Sequence, residues 1–398
     1  MKKKAVVIIF IVILIFPMVS WPLVSLLNLP TVDENREKAT FPQFGDDVFS
    51  QFDEFFADRA PYRDLLIKLY NNVARKLGLL YENMLFRDDD DGDDVGDNNG
   101  DNNNDGNSNY DEMDTDIYTE INNALFGRED WLFYTGDNSI GYYKGTNLPT
   151  EKELQDYVAR AEKVNDYFKA RGKEFIIFIA PNKEQIYSEY MPRGISVKNT
   201  VKRADMIYNY FKEHSNVTVL YPKKELLEAK KTHVTYHQQD THWNNFGGWI
   251  GAKHIFENLN VALGNVTITE TSCLGGDLAS MAAMTPLKYT DYNVTYRPEI
   301  TIKYNVSTTW EYEIESTNKN GKNLVLLGDS FRNAMREVLS KEFEESIFNH
   351  RDSFSADRTY AKEFDAASTV IFQAVERYEP TIFSEYGLLQ RFINIYGL

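Results

Sequence analysis

Residues 174–180 read Glu-Phe-Ile-Ile-Phe-Ile-Ala and stop at Pro181-Asn182-Lys183. Six apolar residues without alternation read as a strand buried on both faces, and such strands belong to parallel sheets covered by helices on either side. A second run, 323–327, ends in Gly328-Asp329-Ser330, and a third strand is expected at 368–374. Between them the spacing predicts helices over 151–171, 198–213, 245–263 and 332–342, with a short strand at 217–221. This alternation predicts an α/β fold, a mostly parallel sheet flanked by helices, with ligands outside the carboxyl ends of the strands. Gly127 to Tyr134 reads as a turn feeding a strand. Residues 265–320, with Val294-Thr295-Tyr296 and Ile300-Thr301-Ile302, read as a small β-rich insertion.

The chain of 398 residues has room for this domain and more. Lys2, Lys3 and Lys4 precede an apolar stretch reaching Leu29, which is long enough to span a bilayer. With the basic cluster ahead of it, residues 1–29 are expected to be an uncleaved, single-pass signal anchor in the cytoplasmic membrane, with the bulk of the chain outside the cytoplasm. A cleaved signal peptide is the competing reading. Residues 30–87 read as a helical neck, with Phe49, Phe52, Phe55 and Phe56, then Leu65, Leu66, Leu69 and Val73, at helical spacing. Residues 88–116 hold twelve Asp and one Glu with no Lys or Arg, so they carry 13 of the 17 net negative charges. Such a tract cannot bury a core and reads as a disordered linker. Within it Asp101, Asn103, Asp105, Gly106 and Glu112 formally fit a calcium loop, a match that a tract of this composition produces by chance. The α/β domain is expected over 117–398. Its near-neutral balance, with no basic face, argues against nucleic acid as a partner. Cys273 is the only cysteine, so no intrachain disulfide forms.

Chemistry concentrates in two stretches. Asp240-Thr241-His242-Trp243-Asn244 supplies a carboxylate and an imidazole two residues apart. Residues two apart face different sides of a helix, so that spacing implies a loop. Gly328-Asp329-Ser330 ends a buried strand and precedes a helix, which exposes a serine hydroxyl at a positive helix end. Serine is a poor nucleophile until a neighbouring base takes its proton, and a histidine held by a carboxylate is suited to that. Asn244 is placed to cap the following helix. Trp243 is expected beneath the loop, and Asp329 to bond local backbone.

These residues resemble the SGNH-hydrolase-like acyltransferases of alginate O-acetylation, the AlgX/AlgJ or DHHW family. The resemblance rests on Asp240-Thr241-His242-Trp243-Asn244-x-x-Gly247 with the later Gly328-Asp329-Ser330-Phe331. Glu34 to Glu37, Gly127 to Tyr134, Pro181-Asn182-Lys183, Gly276-Asp277-Leu278 and Glu376-Arg377 support it. It implies an SGNH-like fold in circularly permuted order, Asp-His before Ser, and a triad of Asp240, His242 and Ser330. It further implies acetyl transfer to hydroxyls of an extracytoplasmic exopolysaccharide, through an acetyl-serine and without a cofactor. A membrane-bound acyltransferase would be the partner that supplies the acetyl groups. Asn182, Lys183 and Arg332 are candidates for the oxyanion or substrate contacts.

Three rivals remain open. A secreted carbohydrate acetyl esterase would use the same triad, and a non-catalytic scaffold of an acetylation complex would need none of it. The third is a metal site, because His233, His237, Asp240 and His242 fall within ten residues.

Overall fold

The structure is a computed structural model that describes residues 63–85 and 116–398, together with Thr40 and Gln51. The expected membrane anchor, most of the acidic tract with its calcium-like pattern, and the first half of the neck lie outside the described residues. No helix among the described residues is long and apolar enough to cross a membrane.

The core is a seven-stranded mixed sheet. In chain order its strands are β4 (Glu174–Ala180), β5 (Thr218–Leu220), β8 (Ile302–Ser307), β9 (Glu311–Ser316), β10 (Asn323–Gly328), β11 (Glu345–His350) and β12 (Thr369–Val375). Spatially they run β5-β4-β12-β10-β11-β9-β8. The first five are parallel, and β9 and β8 add antiparallel at one edge. The apolar runs occupy the centre because both faces are covered. Phe175, Ile177 and Ile179 of β4 point into one core, with Val325, Leu327, Val370 and Phe372. Ile176, Phe178 and Ala180 point into the other, with Leu324, Leu326 and Ile371.

Helices α2 (Glu151–Lys169), α3 (Arg203–His214) and α6 (Leu388–Tyr396) cover the first face. Helices α4 (Asn245–Asn258) and α5 (Arg332–Ser340) cover the second and pack closely on one another. A Cβ at Gly248 of α4 would come within 2.5 Å of the Ala334 Cβ of α5, so only glycine permits this approach.

The stretch expected as a β-rich insertion divides in two. Strands β6 (Val266–Leu274) and β7 (Lys288–Tyr296) form a separate antiparallel hairpin, whereas β8 and β9 extend the main sheet. A further small sheet joins β1 (Glu120–Ile121), β2 (Ala124–Phe126) and β3 (Leu132–Tyr134). Helix α1 (Arg63–Leu85) lies against this region: Asn71 Nδ2 donates to the Ala282 carbonyl at 2.7 Å, and Arg75 pairs with Asp130.

Candidate active site

Three parallel strands of the sheet end in polar groups on the same side: Asn182 after β4, Ser330 after β10 and Glu376 after β12. The segment 236–243 turns back on itself over these ends. Its stem is the bridge between Tyr236 and Trp243, reinforced by Asn244 N–H to the Thr235 carbonyl at 3.1 Å. A loop this short projects Asp240 and His242 together. Trp243 is buried beneath it, and its indole N–H donates to the Phe331 carbonyl at 2.9 Å. That bond joins the loop to the turn carrying Ser330. Asn244 caps α4, accepting the Gly247 amide at 2.9 Å.

The Asp240, His242 and Ser330 side chains lie in one line. His242 Nδ1 is 2.7 Å from Asp240 Oδ1, and His242 Nε2 is 2.7 Å from Ser330 Oγ. With its Nδ1 proton directed at the carboxylate, the imidazole leaves an Nε2 lone pair for the serine hydroxyl. The Asp240 carboxylate is further fixed by the His242 amide at 2.9 Å and the Asp277 amide at 3.0 Å. Burial alone would raise Asp240, but the hydrogen bond and charge of His242 and these two amides hold it below the usual carboxylate range. Burial pulls His242 down, yet the hydrogen bond and charge of Asp240, helped by Asp277, raise it above the ordinary histidine value.

Asp277 is a site residue that motif reading gave no role. Its carboxylate accepts the Thr241 amide at 2.7 Å and the Thr241 hydroxyl at 2.5 Å, and stands 3.6 Å from His242 Nδ1. Burial, and then the charge of Asp240, push its own pKa up. Its only signal in the sequence was membership in Gly276-Asp277-Leu278. Arg377 was likewise only a supporting fragment, and its guanidinium lies 5.6 Å from the centre of the Phe331 ring.

Asn182, Lys183 and Arg332 do not line the cavity at the triad. Lys183 is fully buried, donating to the Leu132, Gln238 and Asp240 carbonyls at 2.6, 2.9 and 3.0 Å. Burial pushes its pKa down to about 7, against the pull of Asp240 and Asp277. Arg332, also buried, donates to the Gly328, Asp329 and Trp310 carbonyls. Asn182 Oδ1 accepts from Arg377 at 3.1 Å. All three hold the backbone under the site. Asp329 spends its carboxylate on the Phe331 and Val375 amides and on Gln373, so it reaches across the sheet as well as locally. The four-residue metal set is not assembled either: His233 lies apart, packed on Phe246 and Tyr292, with Nδ1 against the Thr232 hydroxyl.

The cavity measures about 340 Å³ and is lined by His237, Asp240, His242, Trp243, Asn245, Ser330, Asn333 and Ala334. Among the described residues the Ser330 amide has no hydrogen-bond acceptor, which leaves a donor beside the hydroxyl. A histidine with a free Nε2 lone pair, a serine on it and an unspent amide are the parts needed for acyl transfer.

The family model of the SGNH hydrolase-like domain of acetyltransferase AlgX matches residues 124–361. The Pseudomonas putida protein named Probable alginate O-acetylase AlgJ is 25% identical over 169 residues, 42% of this chain and 39% of that protein. The chain thus matches about two fifths of that relative's length. A DHHW family protein from Eubacterium siraeum superposes with a TM-score of 0.49 and 17% identity, covering 69% of this chain and 97% of the other. For Pseudomonas aeruginosa AlgX the values are 0.44 and 16%, covering 67% and 63%.

Proposed function

The chain belongs to the AlgX family of SGNH hydrolase-like acetyltransferase domains, and from that premise we propose that it O-acetylates an extracytoplasmic polysaccharide through Ser330. The observation that carries the reading is the unbroken hydrogen-bond chain from Asp240 through His242 to Ser330 at the cavity. In the first half-reaction His242 Nε2 takes the Ser330 proton while Oγ bonds to the acetyl carbonyl carbon. Negative charge on the carbonyl oxygen is met by the Ser330 amide. As the intermediate collapses, His242 returns the proton to the departing donor oxygen, leaving acetyl-Ser330. In the second half the same nitrogen takes a proton from a sugar hydroxyl, whose oxygen attacks the ester, and Ser330 leaves with the proton restored. Asp240 holds the imidazole in one tautomer and stabilises its charged form throughout.

The acceptor is a hydroxyl-rich glycan, alginate-like or another cell-surface polysaccharide. The acetyl donor is a membrane-bound acyltransferase, and residues 1–29 anchor the chain beside it in the cytoplasmic membrane. The test is incubation of the full chain with a chromogenic acetyl ester and candidate oligosaccharides, followed by mass spectrometry of both protein and sugar. Acetyl on Ser330 and on the sugar, both lost in Ser330→Ala, is the expected result. Transfer that persists in Ser330→Ala would overturn the mechanism, and acetate release without sugar acetylation would make the protein an esterase.

A further inference from the structure

Behind the cavity wall the hairpin β6–β7 brings a second group of side chains to the catalytic loop. In the hairpin register Thr271 faces Asp291 and Cys273 faces Tyr289, so Cys273 and Asp291 are diagonal neighbours on the inward face. His237, at the start of the loop that carries Asp240 and His242, lies against that face. One ligand-type atom from each of His237, Cys273 and Asp291 lies within 4.8 Å of the other two.

No hydrogen bond ties the His237 ring to the other two side chains among the described residues. His237 Nδ1 is buried with no hydrogen-bond partner among the described residues. Asp291 Oδ2 is the facing oxygen at 3.6 Å, too long for a hydrogen bond. It suits the edge of a coordination tetrahedron, where metal–nitrogen and metal–oxygen bonds of about 2.0–2.2 Å put two ligands roughly 3.4 Å apart. The other carboxylate oxygen, Oδ1, accepts from Asn244 Nδ2 at 2.8 Å. An outer partner of this kind orients a metal-binding carboxylate. A neutral imidazole, a thiolate and a carboxylate form a donor set matched to a borderline-soft divalent ion.

We propose that His237, Cys273 and Asp291 bind a divalent transition metal of the zinc type, which clamps the β6–β7 hairpin to the loop bearing Asp240 and His242. The fourth position is taken by water. Binding expels the Cys273 thiol proton to solvent, so the thiolate forms one bond to the metal and no oxidant or reductant is needed. The ion lies outside the Asp240–His242–Ser330 line. Its role is to hold the loop against the hairpin. The site differs from the set expected from sequence spacing, because two of its three ligands come from strands that spacing alone could not bring to His237.

Cobalt reports on such a site, since a thiolate ligand gives a sulfur-to-cobalt charge-transfer band. The full chain, stripped of metal and titrated with cobalt, is expected to bind one ion with that band, and zinc should displace it. Cys273→Ser should lose the band, and both Cys273→Ser and His237→Gln should weaken binding at least about 100-fold, since outer partners alone are worth 10–100-fold. Zinc should raise the melting temperature of the parent and not of either variant. Ser330→Ala should bind cobalt like the parent, so a failed acyl-transfer mechanism and a failed metal site are told apart. Two results would each overturn the proposal: a folded parent that shows no thiolate band, or Cys273→Ser binding cobalt as tightly as the parent. The second would move the ion to Asp240, His242 and Asp277.

Discussion

The ends of β4 and β10 make an instructive pair. Each is a buried apolar strand that stops in a polar tripeptide, Pro181-Asn182-Lys183 in one case and Gly328-Asp329-Ser330 in the other. Both therefore looked like site segments. At β10 the Ser330 hydroxyl faces the cavity, with His242 as its partner. At β4 the Lys183 ammonium is sealed in the interior with three carbonyls, one for each of its N–H bonds. A polar side chain at a strand end becomes reactive only when its donors and acceptors are left unspent by the fold. The Ser330 hydroxyl stays open to the cavity; Lys183 has none of its protons left.

The sharpest way to break that contrast is to remove each group in turn. Ser330→Ala should lower kcat/KM for an acetyl ester by about 10⁴-fold or more while leaving the unfolding midpoint almost unchanged. Asp240→Asn should cost about 10³–10⁴-fold in kcat, because the amide no longer fixes the imidazole tautomer, with only a small change in KM. Lys183→Met inverts the pattern. Three buried carbonyls lose their donor, so denaturant unfolding should reveal a loss of about 3 kcal/mol or more. If Lys183→Met instead kept full stability and lost activity as completely as Ser330→Ala, the two strand ends would be functionally equivalent after all.

The smallest expected effect is one of pH. His242 must be neutral to accept a proton, and its pKa lies above the ordinary value of 6.5. Activity should therefore fall as pH drops, with the acid limb of kcat/KM centred above 6.5. Asp277→Asn removes one of the charges that raise His242, so the limb should move to lower pH. An unmoved limb would show that Asp277 serves the loop backbone alone.

What could be read from residues was what depends on neighbours in the chain. β4 and β10 were legible as unbroken apolar runs, β12 as a strand over 368–374 although Thr369 and Gln373 interrupt its apolar residues, and Asp240 with His242 as a loop from their spacing. β11 was not, because Glu345-Ser-Ile-Phe-Asn-His mixes polar and apolar residues without a clear period. Residues 265–320 read as β-rich, yet nothing local says that β8 and β9 add to the main sheet and leave β6 and β7 apart. Asp277 stayed unassigned for the same reason: it meets Thr241 across 36 positions of chain. Sequence spacing likewise put His233 in a metal set that the fold does not build, since packing on Phe246 and Tyr292 carries it away.

One bond has a consequence beyond holding a tryptophan in place. Trp243 donates to the Phe331 carbonyl, so the segment bearing His242 is tied directly to the segment bearing Ser330. The distance that matters for proton transfer is thus set by two short pieces of chain and one hydrogen bond. Segments that touch neither piece leave that distance alone, whereas the segment joining β6 to β7, whose Asp277 holds Asp240 and Thr241, is bound to the site. Held this way, the two segments move as one body, and His242 and Ser330 keep their spacing when the rest of the surface shifts.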